Sequence, residues 1–116
     1  MNIQIHTTHI NLSDTQKEYI TEKISNLGKY GKQIDDEATL VHVDVKKLDH
    51  VNKKEKVEID IRMKVPGGDF FVQETGITPE ETIDKAVLKF RHQIERYKDK
   101  KDHLHDGGIG EEGASL

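Results

Sequence analysis

The sequence predicts a single α+β domain with the element order β-α-β-β-β-α, in which two helices cover one face of a four-stranded mixed sheet. Three observations support this prediction. Apolar and polar residues alternate in several short segments, two other segments have apolar residues at helical spacing, and each of those two follows a helix-capping motif. A chain of 116 residues suits one such small domain.

Three segments, residues 2–7, 38–48 and 55–65, have the alternating pattern of half-buried strands, and a fourth strand is predicted through Phe70, Phe71 and Val72. The third is the clearest, because apolar residues from Val57 to Val65 alternate with charged ones throughout. One apolar face and one polar face are typical of an antiparallel sheet that is wet on one side. The segment Pro66-Gly67-Gly68-Asp69 predicts a hairpin turn between the third and fourth strands.

The first helix is predicted between the first two strands. Ser13 and Gln16 have the spacing of a capping box, in which each side chain accepts a hydrogen bond from the other residue's backbone amide. Gly28 or Gly31 can end this helix. A helical crossover of this kind predicts that the first two strands are parallel, and the remaining strands then form a meander.

The second helix is predicted to run from Pro79 to about Asp102. Thr78 supplies the N-cap, Pro79 suits the first helical position, and Glu81 completes a capping box. The apolar residues of this helix recur at helical spacing and share one face. They are Ile83, Val87, Phe90, Ile94 and Tyr97.

A basic stripe lies on the opposite face of this second helix. Its residues fall within an arc of about 80°, and no carboxylate of the helix enters that arc. Solvated helix faces usually mix charges of both signs, whereas an unbroken cationic stripe suits a phosphate backbone. The stripe alone leaves two interpretations open, an RNA- or polyanion-binding surface and a lysine-rich soluble helix. The stripe consists of Lys85, Lys89, His92, Arg96 and Lys100.

The distribution of charge matters more than its net value. The chain has a formal net charge of −4, but all 18 Lys and Arg residues lie within residues 1–101, together with 18 of the 22 acids. Residues 1–102 are therefore predicted to form the folded domain, followed at 103–116 by an acidic tail. The tail has almost no apolar content and is predicted to be disordered.

Composition excludes several classes of function. With no cysteine, the chain has no disulfide, no cysteine-ligated metal site and no cysteine nucleophile. No signal peptide, membrane anchor or apolar run of about 20 residues is present, so we expect a cytoplasmic protein without a membrane partner.

The usual sequence signatures of enzymes are also absent, which predicts a protein that is not an enzyme and needs no cofactor. The cluster His103-x-His105-Asp106 is the best metal candidate. It lies in the predicted tail without a partner cluster, so we predict no dedicated metal site.

Two helices on one sheet face, one of them cationic, resemble the way in which double-stranded RNA-binding domains present charge to phosphates. The first helix adds Lys17 and Lys23 on the flanks of its apolar face, where they can border a groove between the helices. Phe70, Phe71 and Phe90 are assigned to the core, which leaves few aromatic residues to stack bases. This pattern favours recognition of backbone and shape.

Two segments carry a resemblance to a known family. The opening NIQIHTTHINLSDTQKEYITEKISNLGKY resembles the first strand and helix of the ribosome hibernation promoting factor / protein Y family, also called sigma-54 modulation proteins. The segment EETIDKAVLKFRHQIERYKDKKD is similar to the second helix of that family. The resemblance covers roughly residues 1–102 and implies the short form of the family, which lacks the additional C-terminal domain.

The resemblance implies a stress or stationary-phase factor that inhibits translation without catalysis. Such a factor binds the small ribosomal subunit and its 16S ribosomal RNA, in the messenger RNA channel and the A and P sites, and so competes with messenger and transfer RNA. The free protein is expected to be a monomer. The alternatives are a general double-stranded RNA-binding module and a protein-interaction domain that modulates transcription. The rRNA-binding residues implied by the resemblance are Lys17, Lys23, Lys85, Lys89, His92, Gln93, Arg96, Lys98 and Lys100.

Overall fold

The computed structural model of the protein describes residues 1–49 and 54–105, with side chains up to residue 98. It confirms the predicted α+β class and the order β-α-β-β-β-α. A short 3-10 helix, Asn26–Tyr30, follows the first helix directly. The strands and helices are β1 (Asn2–Thr8), α1 (Asp14–Ser25), β2 (Leu40–Lys47), β3 (Val57–Val65), β4 (Gly68–Gly76) and α2 (Pro79–His105).

The four strands form one mixed sheet in the order β1-β2-β3-β4. β1 and β2 are parallel, with Ile3 opposite Val41, and the other two pairings are antiparallel. Val43 lies opposite Ile61, and Ile61 in turn lies opposite Val72, so apolar residues of successive strands share one face. The parallel crossover and the meander predicted from the sequence are both confirmed.

The core lies between the apolar sheet face and the two helices. Burying one large apolar side chain stabilises the folded state by about 1.5–3 kcal/mol, so this core supplies most of the driving force for folding. α2 packs across β3 and β4, and α1 lies beside α2. The largest fully buried side chains are those of Phe90, Ile20, Ile24, Leu27, Ile59, Ile61, Met63, Ile83, Ile94, Val41, Val43 and Val45.

Both helices begin at the predicted caps. The Ser13 hydroxyl accepts a hydrogen bond from the Gln16 amide at 3.1 Å, and Gln16 Oε1 accepts one from the Ser13 amide at 3.0 Å. At α2 the Thr78 hydroxyl accepts from the Glu81 amide at 3.1 Å. The Glu81 carboxylate, however, reaches one residue further back than a capping box requires and accepts from the Ile77 amide at 2.7 Å. These bonds satisfy backbone amides that a helix leaves free at its start.

The ends of the helices differ slightly from the prediction. α1 ends at Ser25, before both predicted glycines, and the 3-10 helix that follows it has Gly31 as its C-cap. α2 continues to His105 rather than to about Asp102. The remainder of the predicted acidic tail, residues 106–116, lies outside the described residues, as does most of the polar turn between β2 and β3.

The β3–β4 hairpin is tighter than predicted. Val65 pairs with Gly68, so only Pro66 and Gly67 connect the two strands, and β4 begins before Phe70. Gly67 has a φ of +89°, which a residue with a side chain rarely adopts. A proline followed by a glycine of positive φ is the signature of a type II turn.

The predicted burial of Phe71 is wrong. The register places Phe70 opposite Met63 on the buried face, and its neighbour Phe71 therefore points to the open face, opposite Arg62. Phe71 is 45% exposed, whereas Phe70 is 7% exposed. Adjacent residues of a strand face opposite sides, so two consecutive phenylalanines cannot both enter a core on one side of the sheet.

Gly76, at the end of β4, provides a test of the packing between this strand and α2. A Cβ added there would lie 2.9 Å from Glu81 Oε1 and would also meet Thr82. We expect Gly76→Ala to lower the free energy of unfolding by about 1–3 kcal/mol, because the first turn of α2 must move. Thermal unfolding measures the loss. Gly68→Ala is the matched control, because its Cβ would meet nothing closer than 3.7 Å, and equal stability losses in both variants would contradict this account.

Candidate nucleic-acid interface

The basic stripe borders a groove between α2 and the edge strand β4. Phe71 and Gln73 of β4 form one wall of this groove, and the stripe side of α2 forms the other. The groove arises because β4 pairs with β3 on one side only, and α2 crosses the sheet beside its free edge. We call it the α2–β4 groove. It is lined by Phe71, Val72, Gln73, Lys89, His92, Gln93 and Arg96.

Lys89 is held by groups of β4. Its Nζ lies 3.1 Å from Glu74 Oε2 in an ion pair and 3.5 Å from the Gln73 carbonyl oxygen. Burial raises the pKa of Glu74, but the Lys89 hydrogen bond, the Thr75 amide and the charges of Lys89 and Lys85 outweigh it, so the net pKa lies below its ordinary value. Glu74 of β4 therefore neutralises part of the stripe, although the α2 sequence places no carboxylate there.

Gln93 binds the free edge of β4. Its side-chain amide donates a hydrogen bond of 3.1 Å to the carbonyl oxygen of Phe71. Lys89 likewise donates a hydrogen bond to the Gln73 carbonyl. Two carbonyl oxygens at the free edge of β4 therefore accept hydrogen bonds from side chains of α2. An edge strand with free carbonyls can pair with another chain, and these contacts reduce that tendency. Gln93 therefore has a structural role beside its predicted role at an RNA interface.

Three residues of the stripe remain available to a ligand. Lys85, His92 and Arg96 are exposed, and within residues 1–49 and 54–98 none of them forms an ion pair. His92 and Arg96 line the α2–β4 groove directly, and Lys85 lies one turn before Lys89. Because Lys85 and Arg96 are exposed and not paired with an acid there, they supply positive potential to this surface.

The lysines of α1 do not line this groove. Lys23 lies at the contact between the helices, with its Nζ 3.6 Å from Asp84 Oδ1 and 5.3 Å from the centre of the Tyr19 ring. The Tyr19 hydroxyl donates to the same carboxylate at 2.8 Å. Lys17 is exposed on the other flank of α1, about 160° from Tyr19 by helical rotation. Tyr19 and Lys23 thus join α1 to Asp84 of α2, and the α2–β4 groove lies on the other side of α2.

Lys98 belongs to a second basic cluster, next to the 3-10 helix. It lines a pocket with Lys29, Tyr30 and Lys32. Two cations lie near the Tyr30 ring, with Lys29 Nζ 5.4 Å and the Arg91 guanidinium 5.2 Å from its centre. These distances are typical of cation–π contacts, so the ring helps to position both side chains. The structure therefore distributes the predicted site residues over both flanks of α2.

The side chain of Lys100 lies outside the described side chains, and so do His103, His105 and Asp106 of the metal candidate. Across residues 1–49 and 54–98, no three His, Asp or Glu side chains cluster as metal ligands would. In the part of the chain that the structure describes, α2 is long enough to span a bilayer but too polar to do so.

Sequence reasoning missed two residues beside the stripe: Phe71, which lines the groove, and Glu74, which pairs with Lys89. The signal for Phe71 was present, because strict alternation along β4 requires either Phe70 or Phe71 to face solvent. Glu74 was harder to find. It lies on the helix-bearing face next to α2 only because β4 is the edge strand under that helix, and spacing along a single helix does not contain this information.

The fold and the groove define a small α+β protein that presents a cationic surface on its helix-bearing side. The profile of the family described as Sigma 54 modulation protein / S30EA ribosomal protein matches residues 3–102, and the chain belongs to this family. This confirms the family resemblance found in the two helices.

Two relatives carry related names. The Ribosome hibernation promotion factor of Deinococcus radiodurans is 28% identical over 96 residues, which cover 82% of this chain and 48% of that protein. The Ribosome hibernation promoting factor of Salmonella typhimurium is 26% identical over 104 residues, which cover 89% of this chain and 100% of that protein. The chain thus spans about half the length of the first relative and the whole of the second.

Solved structures confirm the fold. The Thermus thermophilus Protein Y N-terminal domain has a TM-score of 0.67 and 23% identity, covering 84% of this chain and 99% of that one. A ribosomal subunit interface protein from Coxiella burnetii has a TM-score of 0.67 and 23% identity, covering 85% and 99%. At this level of identity the likeness establishes the shared architecture.

The Lys89–Glu74 pair can be tested by titration. In Lys89→Met we expect the pKa of Glu74 to rise, because the hydrogen bond and charge that lower it are lost while burial remains. Carbon-13 NMR of the Glu74 carboxyl measures this change. In the unsubstituted protein the pKa of Glu74 lies below its ordinary 4.5, so the pair stabilises the fold above that pH, and the stabilisation is lost as pH falls through the folded-state pKa.

The control for this titration is Lys85→Met. Lys85 lowers the pKa of Glu74 through its charge alone, so its removal should have a smaller effect. An unchanged Glu74 pKa in Lys89→Met would show that the ion pair does not form in solution.

Proposed function

We propose that the protein is a ribosome hibernation factor that binds the small ribosomal subunit and silences translation by occupying the path of messenger and transfer RNA. Its ligand is 16S ribosomal RNA in the messenger channel and at the A and P sites. It acts by occlusion rather than by catalysis, in the cytoplasm, under stress or in stationary phase. The free protein is a monomer in this proposal.

The observation that carries this proposal is the exposed cationic row of α2, which the fold keeps clear of the core. Lys85, His92 and Arg96 project from a helix whose other face is buried, at spacings of about one turn or two. Family membership and the names of both relatives point to ribosomes as the source of the phosphates. Lys17, Lys23, Lys89, Gln93, Lys98 and Lys100 complete the proposed contact surface.

Lys89 contributes to this surface in a different way from Arg96. Glu74 already neutralises Lys89, so a phosphate must share the lysine with this carboxylate or displace it. Arg96 has no such competitor among the described residues, and its guanidinium can bind a phosphate with two hydrogen bonds. Arg96 is therefore the cation whose loss should weaken binding most clearly.

We expect Arg96→Glu to weaken binding to vacant small subunits by about tenfold or more at moderate salt, because it removes one phosphate contact and adds a repulsive charge. Co-sedimentation across a salt series measures the affinity, which should fall steeply with salt in the unsubstituted protein. The matched control is Lys47→Glu, which makes the same change of charge at an exposed lysine of β2 that does not line the groove. Equal weakening by both variants would mean that overall charge, and not this surface, controls binding.

Occlusion makes a separate prediction about competition. Messenger RNA and initiator transfer RNA bound to the small subunit should lower the amount of protein that co-sediments, because both ligands would need the same space. Vacant subunits and subunits loaded with both RNAs provide the comparison. A general double-stranded RNA-binding module would bind both equally, and it would also bind free duplexes as well as it binds subunits. A protein-interaction domain would keep its binding in Arg96→Glu.

A further inference from the structure

Phe71 is a residue of the edge strand β4 whose exposed ring points to the open face of the sheet, beside the α2–β4 groove. It is 45% exposed, although the core above β4 is filled by its neighbours Phe70 and Val72, which are 7% and 2% exposed. Phe71 lines the groove together with Lys89, His92 and Arg96, and its carbonyl oxygen accepts the hydrogen bond from Gln93 of α2. The fold does not require a phenylalanine here, because any residue of β-propensity can occupy the solvent-facing position of an edge strand.

The Arg62 guanidinium lies over the Phe71 ring, so the two side chains form one stacked unit. Arg62 lies directly across from Phe71 on β3, and its guanidinium carbon is 5.1 Å from the centre of the ring. Within the described side chains no carboxylate forms an ion pair with Arg62, so its charge remains available. Nucleic-acid bases stack both on aromatic side chains and on guanidinium planes.

We propose that Phe71 and Arg62 form a stacking platform for one unpaired base of an RNA strand whose phosphates bind His92 and Arg96. This inference rests on the function proposed above and adds the kind of RNA that the groove accepts. Bases in a duplex have their faces covered by their neighbours, so only an unpaired or bulged nucleotide can place a free face on the ring. The groove would then recognise a junction between paired and unpaired RNA.

The surroundings of Phe71 favour a base over an apolar protein partner. Protein-binding surfaces are usually contiguous apolar patches with few charges at the centre. The other large exposed apolar residue of this sheet face, Leu40, lies on β2, with charged Arg62 and Lys64 of β3 between the two. A single ring next to several cations matches the combination of stacking and phosphate binding found in single-stranded nucleic-acid sites.

The test compares substitutions of Phe71 in co-sedimentation with vacant small ribosomal subunits. Stacking on an aromatic residue is worth enough that Phe71→Ala should lower the affinity on the order of 5- to 100-fold. Phe71→Leu should lose nearly as much, since it is apolar but has no π face, and Phe71→Tyr should stay within about twofold. The dependence of affinity on salt should not change, because no phosphate contact is removed.

Leu88→Ala is the matched control, because Leu88 is an exposed apolar residue of α2, 52% exposed, that does not line the groove. Thermal unfolding of each variant confirms that it is folded. A photo-cross-linking variant, Phe71→p-benzoylphenylalanine, identifies the contact directly. We expect its cross-links to map to an unpaired nucleotide of ribosomal RNA.

The outcomes separate this inference from the proposed function. If the unsubstituted protein binds subunits and Phe71→Ala binds equally well, the platform is wrong while the proposed function stands. Full affinity in Phe71→Leu with loss in Phe71→Ala, or cross-links to a ribosomal protein, would show an apolar protein contact and overturn the inference. Absence of binding by the unsubstituted protein would overturn the proposed function, and the platform with it.

Discussion

The burial of one face of α2 against the sheet determines where every other side chain of that helix lies. Ile83, Phe90 and Ile94 are at most 1% exposed, and Phe70 meets the Phe90 ring edge-on with 6.1 Å between centres. A helix with one face held in this way cannot rotate without exposing that face to water. Lys89, His92 and Arg96 of the basic stripe line the α2–β4 groove because this packing sets the rotation of α2.

The same packing gives the stripe two kinds of cation. Lys89 reaches the edge strand and pairs with Glu74, so its position is held before any ligand arrives. Arg96 and His92 are exposed, and within the described residues neither forms an ion pair. Under the proposed function, a polyanion bound here would exchange an existing contact at Lys89 and form new ones at the other two. The stabilising contacts of the edge strand and the proposed binding surface are adjacent parts of one structure, so we expect substitutions of Lys89 to affect both.

Several predictions from sequence were correct because their causes are local. The capping residues Ser13 and Thr78 start the helices where expected, since each hydroxyl bonds an amide three residues ahead. The alternation from Val57 to Val65 follows from the two-residue repeat of a strand. The α2–β4 groove was not predicted, because it depends on contacts between residues far apart in sequence, such as Gln93 with the Phe71 carbonyl.

The elements, their order and the basic stripe on α2 could be predicted from local patterns, because helix and strand periodicities are properties of neighbouring residues. The surroundings of the stripe depend on how the elements pack together. Glu74 pairs with Lys89 of the stripe, and Phe71 lines the groove. Both lie beside α2 because of the β3–β4 register and the position of β4 at the sheet edge. Register and edge position depend on how the whole sheet pairs and on which strand lies under which helix, and no local pattern contains that information.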